Sequence, residues 1–394
     1  MSQKISQRDQ ICEGIVQLRG KIRLPGGRIF YPHWKTVGAS PIYGGYVEAC
    51  EALVCDTSES GVVCHVAGEA FPLGHHIEPL NFSNDQLYVH ASSFIEPPSV
   101  YQIDRHSGQL TVVHDGNCNK VREFTCRRVW DISDDGTLIP IDCFGTASNT
   151  PKPTIVHVYG GFGRSNHSFY NHAADAHWLK HGYTIAVVHS RGGGEYGDSW
   201  HQAGVKEGRR QVKADIAAAI RALHQASLCT PETTIVHGMS HGAIVAAATT
   251  ICYPELISHI VCRVPISSTQ DLATTRLGMQ WIGEYGDPRT NDWSAFMKNE
   301  DPIACDVTPG RLEGTSWLVV GYCGDTVTDI AHADLLAERA EALGGRVTYW
   351  RYPSNGGHHG ALDPVDRLLH ERKLWRYLNH QASGMNLESV CTTC

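Results

Sequence analysis

Hydrophobic and polar positions follow two different patterns along the chain. From residue 1 to about 120, apolar and polar residues alternate in short runs, as at residues 87–91 and 100–104, and turn residues such as Pro97 and Pro98 interrupt them. A period of two is typical of half-buried strands, so this region is predicted to be antiparallel β structure. From about Arg122 onward, short apolar runs alternate with segments of helical spacing. This alternation predicts a mostly parallel sheet flanked by helices.

Several segments of the second region have the composition of buried strands. They cover residues 154–159 and 184–189, a run that begins at residue 234 and leads into Gly238, a run that begins at residue 317, and residues 347–352. One segment, between residues 209 and 225, has instead the spacing of an amphipathic helix, whose apolar face is formed by Val212, Ile216, Ala219, Ile220 and Leu223.

Length and charge limit the class of protein. The 394 residues exceed one ordinary domain of roughly 100–200 residues, and we predict a β-rich region at residues 1–120, an α/β domain at 121–385 and a short tail at 386–394. The net charge of −8 and the pI of about 6.3 argue against general nucleic-acid binding. No apolar run approaches the roughly 18 residues of a membrane span, and the first residues lack the apolar core of a signal peptide. We therefore expect a cytoplasmic protein without a membrane or nucleic-acid partner.

Cysteine and histidine do not predict a metal centre. Without a secretory signal, the 14 cysteines are interpreted as reduced thiols. The one Cys-x-x-Cys, at Cys391 and Cys394, has no second pair at zinc-finger spacing. No metal and no other cofactor is predicted.

A Gly-x-Ser-x-Gly motif at residues 238–242 carries the first indication of chemistry. An apolar strand precedes the motif and an alanine-rich helix follows it. In an α/β hydrolase this strand, turn and helix present a reactive serine hydroxyl. Ser240 is therefore the candidate nucleophile, and the alternative is an ordinary strand-to-helix turn in which small residues only permit close packing.

A serine nucleophile needs a base and an acid that orients the base, and in this fold the acid and then the base follow the serine along the chain. Asp325 follows the predicted strand that begins at Trp317, and His358 and His359 follow the last predicted strand. Because the chain holds 23 histidines, a histidine in a loop says little by itself. Its place after a serine and an acid in the expected order favours a catalytic role.

The run from about residue 87 to residue 378 resembles the prolyl oligopeptidase family of serine peptidases. Residues 87–94, with the two prolines after them, resemble the last blade of that family's β-propeller, and residues 135–140 resemble the strand that opens its hydrolase domain. Three more specific motifs match in order and spacing, and they lie at residues 159–162, 191–197 and 238–242.

The resemblance implies a role for each matching residue. It makes His359 the base, because His359-Gly360-Ala361 fits the family motif better than His358 does. It also implies an oxyanion hole formed by the Tyr159 hydroxyl and the backbone N–H of His241. The implied substrate-binding residues are Phe162, Trp281, Tyr285 and Val327, although the spacing of Trp281 and Tyr285 suits an ordinary core equally well.

The chain also departs from the family pattern. Gly324 stands where the family has its catalytic aspartate, so we expect a loop one residue shorter in which Asp325 serves, with Asp329 as the alternative. Thr326 replaces an arginine that binds a substrate carbonyl in the family. A seven-bladed propeller needs some 300 residues, at roughly 40–50 residues a blade. Only about 120 precede the hydrolase region, so a small β-rich cap is expected in its place.

We therefore predict an α/β hydrolase with a small β-rich N-terminal region in place of a full propeller. It would cleave an amide or ester bond of a small peptide-like or acylated substrate through an acyl-enzyme, in a specialised, biosynthetic role. The alternatives are an acyltransferase or cyclase, an enzyme of elimination or isomerisation on the same fold, and an inactive binding protein. Surface left bare by the missing propeller further predicts a homodimer.

Overall fold

The computed structural model describes most of the chain from residue 22 to residue 383. The described residues are 22–23, 29–37, 40–47, 52–58, 61–67, 76–82, 86–92, 95, 98–104, 110–116, 124–148, 150–165, 175–272, 278–291, 293–353 and 355–383. The predicted tail at 386–394 lies outside them.

In the N-terminal region, the described residues include nine strands, which form two antiparallel sheets. The first sheet has the order β1-β2-β3-β4-β5 and the second the order β6-β7-β8-β9. Their bounds are β1 Ile22–Arg23, β2 Ile29–Val37, β3 Ser40–Val47, β4 Ala52–Ser58, β5 Gly61–Ala67, β6 His76–Phe82, β7 Gln86–Ser92, β8 Ser99–Asp104 and β9 Leu110–His114. The predicted β-rich N-terminal region is confirmed, and its boundary at residue 120 stays a prediction.

Eight further strands form the central sheet, in the order β10-β11-β13-β12-β14-β15-β16-β17. β11 pairs antiparallel with both β10 and β13. The remaining neighbours in this order, from β13 through β12 to β17, pair parallel. The bounds are β10 Thr125–Ile132, β11 Leu138–Gly145, β12 Thr154–Val158, β13 Thr184–Val188, β14 Thr234–Met239, β15 His259–Arg263, β16 Ser316–Tyr322 and β17 Arg346–Tyr352. A two-stranded hairpin of β18 (Gly356–Gly357) and β19 (Gly360–Ala361) follows. The mostly parallel sheet confirms the predicted α/β hydrolase fold.

Seven α-helices lie within the described residues. They are α1 Asp175–Lys180, α2 Asp198–Gln202, α3 Arg209–Gln225, α4 His241–Cys252, α5 Gly278–Tyr285, α6 Ile330–Ala342 and α7 Pro364–Ser383. Short 3₁₀ turns at Lys206–Gly208, Pro231–Thr233 and Pro254–Leu256 and a π-helical turn at Trp293–Met297 complete the helical structure there. None of the described helices combines the length and the apolar character that a membrane span requires.

The hydrophobic core lies on both faces of the central sheet. Because side chains alternate along a strand, Ile155 joins one buried cluster and its neighbour Val156 joins the other. Helices α3, α4 and α6 cover the Val156 side, whereas α1 and α7 cover the Ile155 side. The helix predicted at residues 209–225 is confirmed, and all five of its predicted apolar residues are buried.

The carboxyl ends of the parallel strands meet at one edge of the sheet. β12 ends one residue before Tyr159 and β14 ends one residue before Ser240. Asp325 follows the end of β16, and the β18–β19 hairpin follows β17. The fold therefore gathers the candidate site residues at the edge where α/β proteins bind their ligands.

A row of buried charges joins the antiparallel part of the sheet. The guanidinium of Arg128 on β10 lies 2.7 Å from a carboxylate oxygen of Asp142 on β11. The other Asp142 oxygen accepts a 2.9 Å hydrogen bond from Nε2 of His189, whose Nδ1 faces Glu195 at 3.5 Å. Burial opposes the charge of His189, but the two carboxylates raise its pKa to about 9. The buried imidazole is thus cationic at neutral pH.

This row predicts a loss of stability in alkaline solution. The pKa of His189 is about 9 in the folded protein and 6.5 in its ordinary state. The charged imidazole therefore stabilises the fold fully below pH 6.5, and this stabilisation disappears as the pH rises through 9. Relative to His189→Gln, the free energy of unfolding of the unmodified protein should fall by on the order of 3 kcal/mol across that window. Denaturant unfolding at several pH values measures the difference.

Asp306→Asn is the matched control, because Asp306 forms an exposed ion pair with Lys298. Its free energy of unfolding should follow that of the unmodified protein at every pH. Parallel curves for the unmodified protein and His189→Gln would show that the His189 charge does not support the fold.

Candidate active site

Ser240 occupies the sharp turn between β14 and α4. Its φ of 57° and ψ of −121° are unusual for a residue with a side chain and cost on the order of 1–3 kcal/mol. A Cβ atom on Gly238 would lie 2.1 Å from the carbonyl oxygen of Gly242, and one on Gly242 would lie 2.5 Å from that of Val158. The turn can therefore close only with glycine at both positions of the motif.

Backbone hydrogen bonds hold Ser240 in this conformation. Its N–H donates to the carbonyl oxygen of Arg263 at 2.9 Å, and its own carbonyl oxygen accepts from the N–H of Ile266 at 3.2 Å. Both partners belong to the end of β15 and the loop after it. The neighbouring strand thus stabilises the strained turn.

Two hydrogen bonds connect Ser240, His358 and Asp325. Nε2 of His358 lies 2.9 Å from the Ser240 hydroxyl oxygen, and Nδ1 lies 2.8 Å from a carboxylate oxygen of Asp325. A carboxylate only accepts, so Nδ1 carries the proton and Nε2 is free to accept the serine proton. The geometry is that of a nucleophile, a base and an orienting acid.

The structure corrects the prediction that His359 is the base. Both histidines lie in the two-residue turn of the β18–β19 hairpin, where Gly357 pairs with Gly360. Their ring centroids are 5.6 Å apart and the ring planes are nearly perpendicular, at 74°. Only His358 reaches between Ser240 and Asp325, whereas His359 is exposed. Matching the His-Gly-Ala motif therefore selected the wrong neighbour.

The Asp325 carboxylate is held from several directions. One oxygen accepts the N–H groups of Val327 and Thr328 at 2.8 and 3.1 Å, and the other accepts the Thr328 hydroxyl at 2.8 Å. Burial would raise the pKa of Asp325, but the hydrogen bonds from His358, Val327 and Thr328 lower it below the ordinary value. The carboxylate stays ionised and keeps a fixed orientation toward His358.

Asp329, the alternative acid, has a different position. Its side chain accepts from the N–H of Ala331 at 2.9 Å and caps the N-terminus of α6. Such a cap typically stabilises a protein by about 1 kcal/mol.

Tyr159 and His241, the predicted oxyanion-hole residues, lie close together. Their ring centroids are 5.2 Å apart, and the Arg164 guanidinium lies 5.5 Å from the Tyr159 ring. Burial raises the pKa of Tyr159, so its hydroxyl keeps its proton. His241 opens α4, and the backbone N–H groups of a first helical turn have no partner within their helix. The Tyr159 hydroxyl and the backbone N–H of His241 are therefore both candidate hydrogen-bond donors.

The predicted substrate-binding aromatic residues form one cluster. The Phe162 ring lies 6.4 Å from that of Trp281 and 5.9 Å from that of Tyr285. Tyr285 has no exposed surface and packs among Leu272, Trp293 and Met297, which corrects the prediction that it lines a pocket. Phe162 and Trp281 keep partial exposure.

Val327, the remaining predicted substrate-binding residue, belongs to the acid loop. Its side chain is exposed, while its N–H is bound to Asp325. Its place beside the triad fits a contact with substrate, which stays a prediction.

Sequence reasoning missed a polar group that supports the site. Glu284, one residue before Tyr285, is buried and accepts the N–H of Phe162 at 3.0 Å and a ring N–H of His201 at 2.8 Å. Arg209 donates to the carbonyl oxygen of Gly160 at 2.8 Å. The one signal in the sequence was a glutamate between apolar residues of a helix. This signal could not identify the partners of Glu284, because they lie far away in sequence.

The triad and the two candidate oxyanion donors together can support acyl chemistry.

Among the described residues, no cluster of three or more histidine, cysteine or acidic side chains is arranged to hold a metal ion. The seven cysteines described there are free thiols: Cys126, Cys143, Cys229, Cys252, Cys262, Cys305 and Cys323.

Comparison with known proteins agrees with this fold. An uncharacterized peptidase of Sinorhizobium fredii is 28% identical over 284 residues, which is 71% of this chain and 38% of that protein. A prolyl endopeptidase of Elizabethkingia miricola is 27% identical over 309 residues, 77% of this chain and 44% of that protein. The chain thus spans less than half the length of either relative.

Solved structures extend the likeness across nearly the whole chain. Oligopeptidase B from Leishmania major matches with a TM-score of 0.79 at 16% identity, over 90% of this chain and 52% of that one. The sequence model of the prolyl oligopeptidase family matches residues 169–384, more than half of the 394 residues. The chain belongs to the prolyl oligopeptidase family.

Proposed function

We propose that this protein is a serine hydrolase that cleaves an amide or ester bond of a small peptide-like substrate. The hydrogen-bonded series Ser240–His358–Asp325 is the observation that carries this proposal. Family membership supports the reaction type, since two of the relatives are named as peptidases.

The reaction begins when the Ser240 hydroxyl attacks the substrate carbonyl carbon. Nε2 of His358 takes the serine proton, and a new C–O bond forms as the carbonyl oxygen becomes an oxyanion. The Asp325 carboxylate stabilises the imidazolium and keeps the proton on Nδ1. Collapse of the tetrahedral intermediate breaks the bond to the leaving group, which receives the proton from His358 and leaves a serine ester.

Water completes the cycle by the same steps in reverse. His358 accepts a proton from the attacking water, the ester C–O bond breaks, and the proton returns to Ser240 as the acid departs. An amine or hydroxyl of the substrate arriving before water would give acyl transfer or cyclisation from the same ester.

The Tyr159 hydroxyl and the His241 backbone N–H are the proposed oxyanion donors. Tyr159 is partly buried and keeps its proton, and the His241 N–H lies next to the nucleophile at the start of α4. A single donor of this kind is typically worth about 3–4 kcal/mol of transition-state stabilisation.

The substrate class follows from the surroundings of the triad. The partly exposed rings of Phe162 and Trp281 offer an apolar wall to one substrate side chain. Thr326 stands where the family has an arginine that binds a substrate carbonyl, so this charge-assisted hydrogen bond to the substrate backbone is not expected here. Short neutral peptide amides and esters are the expected substrates.

Labelling with a fluorophosphonate tests the proposal as a whole. One equivalent of the probe should attach to Ser240, and Ser240→Ala should lose both the label and the hydrolysis of short blocked peptide coumarinylamides with proline before the scissile bond. Peptide mapping by mass spectrometry locates the adduct. A folded protein that takes up no label at Ser240 would contradict the proposal.

The two histidines of the turn form a matched pair of variants. His358→Ala should lower the rate of fluorophosphonate labelling by at least about 10³-fold, because no base remains to activate the serine. His359→Ala should stay within about threefold of the unmodified protein. The reverse ranking would restore His359 as the base.

The two aspartates give a second matched pair. Asp325→Asn should lower kcat by on the order of 10³–10⁴-fold, because an amide cannot hold the His358 tautomer. Asp329→Asn should leave kcat unchanged, since asparagine also caps helices well. Steady-state kinetics and thermal unfolding of both variants provide the measurements, and a large kcat loss in Asp329→Asn alone would reassign the acid.

A further inference from the structure

The His241 side chain lies at the centre of the site without belonging to the triad. Its imidazole is completely buried. Nε2 lies 3.2 Å from the carbonyl oxygen of Gly160, and Nδ1 is hydrogen-bonded to the Tyr285 hydroxyl. A carbonyl oxygen can only accept, so Nε2 carries the proton, and the Tyr285 hydroxyl therefore donates to Nδ1.

The electrostatic surroundings keep this imidazole neutral. Burial lowers the pKa of His241 far below its ordinary value, and the nearby Arg209 charge lowers it further. Arg209 donates to the same Gly160 carbonyl oxygen at 2.8 Å. One ring nitrogen therefore donates and the other accepts throughout the neutral pH range.

Residues 159–163, here called the oxyanion loop, surround the imidazole closely. A Cβ atom on Gly161 would lie 2.1 Å from Nε2 of His241. The rings of Tyr159 and Phe162 lie 5.2 and 5.0 Å from the imidazole, centroid to centroid. A displacement of the imidazole must therefore move the backbone that carries Tyr159.

The far side of the same ring contacts α5. Tyr285 ends that helix and Trp281 stands one turn before it. Glu284 of the same helix accepts the N–H of Phe162. The oxyanion loop is thus bound to α5 directly through Glu284 and indirectly through the pair His241–Tyr285.

We propose that the His241 imidazole is a positioning residue, which joins the Tyr285 hydroxyl to the Gly160 carbonyl and so fixes the Tyr159 hydroxyl where the oxyanion forms. The proposal rests on the proposed function of Ser240. In this proposal the fully buried Tyr285 does not contact substrate, and its hydroxyl instead holds the His241 imidazole in place. A substrate group seated against Trp281 acts on the helix that holds the oxyanion loop.

The proposal predicts a selective effect on kcat. The oxyanion exists only after Ser240 attacks, so a misplaced donor weakens the transition state and leaves ground-state binding unchanged. Tyr285→Phe removes a single hydroxyl and should lower kcat about tenfold with KM unchanged, measured on p-nitrophenyl butyrate. Tyr349→Phe is the matched control, because it removes a hydroxyl bound to Asp334 away from the site.

Two substitutions of His241 separate its two hydrogen bonds. The amide nitrogen of His241→Gln can occupy the place of Nε2 and still donate to Gly160, whereas the amide oxygen of His241→Asn can replace Nδ1 and still accept from Tyr285. Gly160 belongs to the oxyanion loop, so the hydrogen bond to it matters most for the position of Tyr159. The kcat of His241→Gln should therefore be at least about fivefold higher than that of His241→Asn. Equal losses in both would indicate packing alone and would overturn the proposal.

Hydrogen exchange followed by mass spectrometry gives a readout that needs no turnover. The N–H groups of Phe162 and Gly163 are bound to Glu284 and Gly192, and they should exchange faster in Tyr285→Phe than in Tyr349→Phe. Unchanged exchange in the oxyanion loop would overturn the positioning role even if Ser240 is reactive. Faster exchange in a protein whose Ser240 takes no fluorophosphonate would uphold the role and refute only the proposed function.

Discussion

The hydrogen bond between the Asp325 carboxylate and Nδ1 of His358 is the interaction on which the site depends. It fixes the proton on the far side of the imidazole and leaves Nε2 as an acceptor 2.9 Å from the Ser240 hydroxyl. The carboxylate can do this because four donors hold it, namely His358, the Thr328 hydroxyl and the N–H groups of Val327 and Thr328. Three loops from distant parts of the sequence thus converge on one imidazole.

Strain at the site is balanced by the sheet beneath it. Ser240 and Phe162 both have positive φ values, 57° and 58°, which residues other than glycine rarely adopt. Ser240 directly follows β14, and Phe162 lies in the loop after β12. Neighbours bind the backbone groups of both residues: Arg263 and Ile266 bind Ser240, and Glu284 binds Phe162. A rigid parallel sheet with both faces covered provides the support that such conformations require.

Sequence patterns predicted the fold because local residues determine it. The runs at 154–159, 184–189 and 347–352 match the observed strands to within one residue at either end. The first two are mostly apolar runs that form buried strands inside the sheet, whereas residues 347–352 mix β-branched, aromatic and polar residues and form the partly exposed edge strand. Ser240 was found for a similar reason, because the glycines on either side of it are a direct steric requirement of the turn.

The details of the site were less predictable because they depend on side-chain direction. Whether His358 or His359 faces Asp325 is decided by the two-residue turn of the β18–β19 hairpin, and adjacent residues of a turn differ in direction without differing in sequence signal. Tyr285 matched a family position for substrate contact, yet it is fully buried and its hydroxyl is bound to His241, 44 positions away. Glu284 and Arg209 acquire their roles through partners 122 and 49 residues distant, which no local pattern contains.

A crystal structure of the protein with a peptide boronate would test the central claim most directly. The account predicts a covalent bond between boron and Oγ of Ser240, a boronate oxygen within about 3 Å of both the His241 N–H and the Tyr159 hydroxyl, and His358 still bound to Asp325. A boronate bound elsewhere, or bound to Ser240 with its oxygen directed away from both donors, would contradict it.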